Sequence, residues 1–503
     1  MSRYTQQTSW GRGEVEPTLE ARQDADFYSS AARKLVNFLP DTVAGIETRF
    51  GFAAFRDIAR TVDTTYGALS LQANQQNLIG YVYRDVQVLI HLGIYQTDTG
   101  NKHIVVTPFR VRVDLLDTES PADITTVTAR GTRYVSAAVE PENTRTLFEV
   151  GFSTAGPAAF LTHRLLPPLR VFPTSLTVSN AIFNITTIDF FQELFGFATV
   201  ESGSTTWTGT EEAFFTEQLS SGDTIKFRNE TYTVDTVSVD GEGVQSFTTE
   251  ETYNGVTLTD RVAVIDTAPF GGENPSLVGF FQSRLVYART DTKPTGVWIS
   301  RSNDPFTIVP SAVADDSPIN AELFAEGADE FVWLTGGDRL YFGSSLGEYA
   351  LGSSEETLTP TQLRFFRIGN NGGSKTAPAL VDGAVIFVNR PRSQVLSVVF
   401  DFGRQSFQTS NLSLLAQHLT RDVVDLAFRP PVNNDRTPRI FALTADRELR
   451  AFALSSESQV AAWSRIEHSQ AFTVQAVAAT SEFMFAVTER ASGKVELTVL
   501  RNE

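Results

Sequence analysis

Gln282-Ser283-Arg284-Leu285-Val286-Tyr287-Ala288 is the stretch on which the reading of this sequence turns, because its phrasing returns further along the chain. It recurs as Gly337-Asp338-Arg339-Leu340-Tyr341-Phe342-Gly343, Asp382-Gly383-Ala384-Val385-Ile386-Phe387-Val388, Thr437-Pro438-Arg439-Ile440-Phe441-Ala442-Leu443 and Ser481-Glu482-Phe483-Met484-Phe485-Ala486-Val487. Each copy sets a turn residue before a short apolar run of strand formers. The copies return roughly every 45–55 residues, near the period of propeller blades. A second strand follows most of them, as at Gly296–Ser300, Gly347–Leu351, Gln394–Phe400, Glu448–Leu454 and Lys494–Leu500. A small sheet of this kind buries only one face by itself and needs a neighbour for the other. The reading is therefore mainly β: a β-propeller over residues 266–503, whose closed ring would recruit one or more blades from residues 63–175.

Outward from the repeat, residues 196–265 read as an inserted small β-sandwich or barrel domain. Its strand signals are Thr224–Phe227, Thr231–Val239 and Val256–Thr259, divided by Gly- and Asp-containing turns. Residues 63–195 form a first β part, with strands over Leu78–Tyr95, His103–Val113, Arg133–Val139 and Thr146–Phe152. Asp98–Asn101 is a turn there, and Pro167-Pro168 is expected to break the pattern. Residues 1–62 differ from the rest. They begin as an extended arm with Gly11, Gly13 and Pro17. A helix is predicted over Glu20–Leu39 from Ala21, Ala25, Tyr28, Ala32, Leu35 and Val36, ending at Pro40. Such an arm has little core of its own and packs on its own body or on a neighbouring subunit.

The chain has 503 residues, 41% of them hydrophobic and 20% charged, enough to build a large core. Lys plus Arg number 41 and Asp plus Glu 59, a net charge of −18, which disfavours coating of nucleic acid by a basic surface. An acidic wall would instead let a duplex slide by. Zero cysteines exclude disulfides, thiolate-bound metal and thiol catalysis. Met1–Trp10 lacks the apolar core of a secretory leader, and no run resembles a membrane-spanning helix. Phe is abundant, at 38 copies, in runs with Val, Ile, Thr and Tyr, as suits strand interiors.

Motifs for chemistry are weak. His91, His103, His163, His418 and His468 are scattered, with no HExxH spacing, so no metal site is assigned. Gly369–Lys375 lacks the order of a phosphate loop and is a candidate pore-facing loop. Gly343-Ser344-Ser345-Leu346-Gly347 spells GxSxG but is flanked by strands, which favours a hairpin turn. Ser300–Phe306 reads as a blade turn. No residue is assigned a catalytic role and no cofactor is expected.

The N-terminal residues Trp10-Gly11-Arg12-Gly13-Glu14-Val15-Glu16-Pro17, then Arg22, Asp24, Tyr28 and Asn37-Phe38, resemble the opening of the tail nozzle proteins of short-tailed phages. That family is also called tail tubular protein B or the phage stabilisation protein. Here Glu16 stands where the family usually has Ser, and Gly45–Gly51 lacks its common Arg-Pro-Gly. The resemblance continues at Phe160–His163 and at Phe281–Tyr287 through Val297–Arg301. Leu340–Gly343, Ala416–Leu419 and Ala461–Ser464 follow, with the module at 204–259 similar to a domain inserted in the same family. It implies a non-catalytic virion protein, made in the host cytoplasm and placed in the tail. It implies a ring, a hexamer, below a portal and an adaptor ring, around a channel that retains packaged duplex DNA and lets it leave. Tail fibres or tail-tip proteins would dock outside. Trp10, Arg12, Glu14, Arg22 and Tyr28 become candidates for contact with the adaptor or a neighbour, and channel-lining residues stay unassigned. The alternative is a propeller-type tail protein that binds or degrades cell-surface glycan, marked by a carboxylate pair at the propeller mouth.

Overall fold

The computed structural model describes residues 9–19, 22, 24–42, 45–49, 51–57, 62–63, 67–83, 86–97, 102–112, 126–129, 133–136, 149–177, 180–210, 213–310, 314–324, 327–352, 356–431, 437–455, 457–469 and 471–501. The fold is mainly β, in many small sheets, with helix confined to short turns among the described residues. The expected turn at Asp98–Asn101 lies outside them.

Among the described residues, seven sheets follow the same up-and-down plan. The first is built on strands Gly67–Tyr83, Val86–Thr97 and Lys102–Arg112. The second spans 151–187, the third 277–322, the fourth 331–369, the fifth 379–411 and the sixth 423–466, each with four strands paired in chain order, the third passing over Thr307–Val309. The seventh takes three strands from 472–501 and its fourth, Gly51–Asp57, from the other end of the chain, where Phe52 pairs with Leu500. Turn chemistry explains two of the five copies of the repeating phrase. Gln282 and Ser283 both take positive φ, at 46° and 60°, as do Asp382 and Gly383, at 48° and 81°. Two successive left-handed residues make the two-residue hairpin whose twist matches its strands.

Alternation along each strand then divides its side chains between two neighbours. Leu340 and Phe342 enter the core shared by the third and fourth sheets, while Tyr341 between them enters the core shared by the fourth and fifth. Val385 and Phe387 join that second core, and Ile386 and Val388 join the one between the fifth and sixth. Further cores join the first sheet to the second, the second to the third, and the sixth to the seventh. A last one joins the seventh back to the first, through Phe485, Val487 and Leu497 against Leu78, Leu89 and Phe109. Every one of the seven sheets thus has another on each side. This is why their inner strands read as unbroken apolar runs rather than alternating ones.

Residues 190–266 form something different. Together with Thr307–Val309 they make one nine-stranded sheet that curls as a half-barrel around its own core. Trp207 sits at the centre, wholly buried, stacked on Phe247 at 5.6 Å and met edge-on by Phe227, Tyr232 and Tyr253.

Two local expectations fail. Pro167-Pro168 does not break a strand but lies inside Leu166–Thr177. The register shifts opposite it, between Leu161 and His163, so no ladder hydrogen bond is demanded of either proline. The helix over Glu20–Leu39 is also absent. Tyr28–Ser30 is a single tight turn, Ala31–Ala32 and Phe38–Pro40 are strands, and Asn37 is left-handed at φ 59°. Helices in proteins draw most of their stability from packing an amphipathic face rather than from propensity, and this segment has a sheet edge to pack on. Here the segment instead bonds its backbone to the edge of the sixth sheet and buries Ala32, Leu35 and Leu39. Glu20, Ala21 and Gln23 lie outside the described residues.

Candidate functional site

The first strands of all seven sheets line one cavity, of about 340 Å³. Its wall mixes polar and apolar surface: Leu78, Phe152, Val278, Trp333, Leu380, Phe428 and Ala478 supply one apolar residue from each strand, and Asn77, Glu149, Thr335, Lys375 and Asp425 stand among them. A second chamber, of about 610 Å³, shares Glu149, Val332, Lys375 and Val424 with the first. The Lys375 Nζ and Glu149 Oε1 atoms meet at 3.0 Å where the two adjoin. Of the loop singled out in sequence, Gly373, Ser374 and Lys375 reach this chamber. Asp425 is, with Glu149, an acid on the cavity wall. It is half-buried there, and burial pushes its carboxyl up to about 7. The backbone N–H groups of Val477 and Leu426 and the charge of Arg447 oppose that shift. Its Oδ2 accepts the Val477 N–H at 3.0 Å, tying the sixth sheet to the seventh. A cavity of this volume suits a drug-sized molecule. A duplex does not fit in a cavity of about 340 Å³.

The arm makes a buried polar constellation. Gly13 lies in the left-handed region at φ 64°, and a Cβ there would meet the Trp463 carbonyl oxygen at 2.5 Å, so only glycine allows the close parallel pairing with Trp463. The next residue, Glu14, is 1% exposed. Its Oε2 accepts the Leu35 N–H at 2.8 Å, and its Oε1 lies 2.9 Å from His418 Nε2, 2.8 Å from Arg465 Nε and 2.7 Å from Arg465 Nη2. Burial pushes the Glu14 carboxyl up, but His418, Arg465 and the Leu35 N–H outweigh it and hold the group down at about 2. Glu16 Oε2 accepts the His418 backbone N–H at 2.7 Å and lies 3.0 Å from its Nδ1. One imidazole therefore bridges two carboxylates of the arm.

The other sequence-selected arm residues do not join this cluster. Trp10 and Arg12 are half-buried and contribute backbone bonds, Trp10 O to Gly13 N and Arg12 N to Ser30 O. Arg22 is exposed and pairs with Asp24 at 3.0 Å, and Tyr28 is exposed. Sequence reasoning named His418 only as a scattered histidine within Ala416–Leu419 and did not single out Arg465; nothing local tied either one to an arm some 400 residues away.

The remaining motifs resolve into structure. In Gly343–Gly347, Ser344 Oγ donates to Gly347 O at 2.9 Å and accepts from Leu346 N and Gly347 N, which closes a hairpin turn. Asp304, in the turn after Ser300, accepts from Phe306 N and Thr307 Oγ1 and pairs with Lys226 of the nine-stranded sheet. Arg261 of that sheet binds Glu193 at 2.7 Å and Ser317 at 2.9 Å, while Arg301 binds Asp316 at 3.0 Å. This network rivets the half-barrel to the third sheet. His91 is buried against Gln76, and burial pushes its imidazole down to about 4. Among the described residues, no cluster of His, Asp and Glu could hold a metal ion, and no helix is long and apolar enough to cross a membrane.

No family model matches the chain, and no curated protein does. Among solved structures, it is similar to the crystal structure of a mitotic checkpoint complex, at 9% identity over 90% of this chain and 96% of that one, with a TM-score of 0.37. At that score the likeness carries no argument about function.

Proposed function

We propose that this chain is a subunit of a phage tail nozzle: a seven-bladed propeller with an inserted half-barrel and a docked arm, copies of which assemble as a ring around a DNA channel. The observation that carries the reading is the meeting of seven first strands at one cavity, with apolar cores between successive sheets and from the last back to the first. In such a propeller the axis is filled by the protein itself, and about 340 Å³ leaves no room for duplex DNA. The channel must then run between copies, which makes a ring the functional unit. A heterologous contact repeated about an axis closes such a ring. The net charge of −18 favours passage of a polyanion over adhesion to it. The motifs from Trp10 to Phe38 and from Phe281 to Arg301 support the family, and exposed Arg22 and Tyr28 remain open to an adaptor or a neighbour.

Electron-microscopy class averages of the purified chain, alone and mixed with its tail partner, test this reading. The expected result is a ring, six-fold under the family resemblance, with an axial hole wide enough for a duplex. A chain that stays monomeric in both preparations overturns it.

A further inference from the structure

We propose that the outer edge of the sixth sheet is a strand-acceptor site, and that the ligand it fits is the arm of a second copy of this chain. In this structure the chain's own arm occupies it. The edge strand Val460–Ile466 offers backbone groups in parallel register: Ala461 N–H donates to Gly11 O at 3.0 Å, Arg465 N–H to Leu35 O at 2.9 Å, and Arg465 O accepts Asn37 N–H at 2.9 Å. An added strand gains affinity from main-chain bonds and specificity from side-chain pockets. Both are present. Trp463 leaves space for glycine alone at position 13. His418 and Arg465 then read the carboxylate at 14, and His418, with Arg421 3.9 Å away, reads the one at 16. Arg450, itself paired with Glu448, adds positive charge behind Glu14.

The recognised element is thus an extended Gly-Glu-x-Glu strand, acidic against a basic edge. Any second copy carries that element by sequence identity. Exchange of identical arms conserves every contact, so it is set by tethering and geometry rather than by new interactions. The arm is suited to leave. Its strands are two or three residues long, and of its side chains Val15, Ala32, Leu35 and Leu39 are the buried apolar ones. The inference stands on this groove and not on the nozzle reading.

Complementary full-length variants test it. Glu14→Ala/Glu16→Ala disables the arm and keeps the groove, while His418→Ala/Arg465→Ala disables the groove and keeps the arm. Fluorescence anisotropy with a labelled peptide of residues 9–37 should show saturable capture by the first variant and none by the second. The wild-type chain should capture it at least about tenfold more weakly, because its tethered arm competes at millimolar effective concentration. Added salt should weaken capture, and the peptide bearing both Ala substitutions should not bind. Mixed, the two variants should pair in light scattering, through the free arm of one and the open groove of the other. If alanine prevents folding, Glu14→Gln/Glu16→Gln keeps the shape and replaces it. A groove-open variant that retains a cooperative melt yet captures no peptide overturns the proposal, as does capture that His418→Ala/Arg465→Ala leaves intact.

Discussion

The nine-stranded half-barrel and the four-stranded sheets solve the same problem in opposite ways. The half-barrel curls until its own strands cover its apolar face, with Trp207, Phe215, Phe227 and Phe247 inside one core. A four-stranded sheet stays open on both faces, so its core is always half made of another sheet. The first arrangement localises stability. The second shares it, and the sheets stand or fall together, as nearest-neighbour repeats do.

That contrast can be broken, beginning with the largest effect. Removing residues 495–501 deletes the partner of Gly51–Asp57 and takes Val495, Leu497 and Val499 from the core between the seventh and first sheets. At about 1.5–3 kcal/mol per buried apolar side chain, with total stability of roughly 5–15 kcal/mol, the cooperative thermal transition of the sheets should vanish. The half-barrel, expressed as residues 190–266, should keep its near-ultraviolet dichroism from Trp207, whereas residues 331–369 alone should show no folded signal. Comparable structure in both fragments would refute the distinction. Next, Trp207→Ala should cost about 3–5 kcal/mol and lower a melting step of the half-barrel more than that of the sheets.

Smaller effects sharpen the picture. Asp425 is raised from 3.8 to about 7, so the folded state holds a proton that the unfolded state releases. Stability from this group is present below 3.8 and is lost as pH rises through 7. Asp425→Asn should therefore raise the melting temperature above pH 7 and leave it nearly unchanged in mild acid. Glu14 has the opposite sign. Its ordinary value of 4.5 is lowered to about 2, so its support of the docked arm is present above 4.5 and is lost as pH falls toward 2. The protection factor of the Leu35 amide, measured against the intrinsic exchange rate at each pH, should fall over that interval. Last, Arg22→Ala should leave the melting temperature unchanged, because its pair with Asp24 is exposed to solvent.

Much of the sheet architecture was legible because it is written locally. The repeat from Gln282 to Val487 marks an inner hairpin or strand of each of five sheets, and its turn residues are the ones forced to positive φ at Gln282, Ser283, Asp382 and Gly383. What escaped was non-local. The strand Gly51–Asp57 gives no sign that its partner lies at 495–501. The spacing of Ala25, Ala32 and Leu35 suits a helix, but those positions are equally able to lie along a sheet edge, and tertiary contact decided between the two. Of the arm residues chosen in sequence, Glu14 proved central to a cluster, but the histidine and arginine that hold it are set by the fold and not by any motif.

The seventh sheet has a consequence for how the chain is made. Its outer strand emerges from the ribosome about 440 residues before the strand it pairs with, a wait of roughly 20–90 s at 5–20 residues per second. Until translation reaches the far strand, that sheet cannot be completed, and a nascent chain stalled or cleaved in between never completes it. Only molecules read through Val495–Arg501 close the sheet, which makes the seam a built-in check on how far synthesis has run.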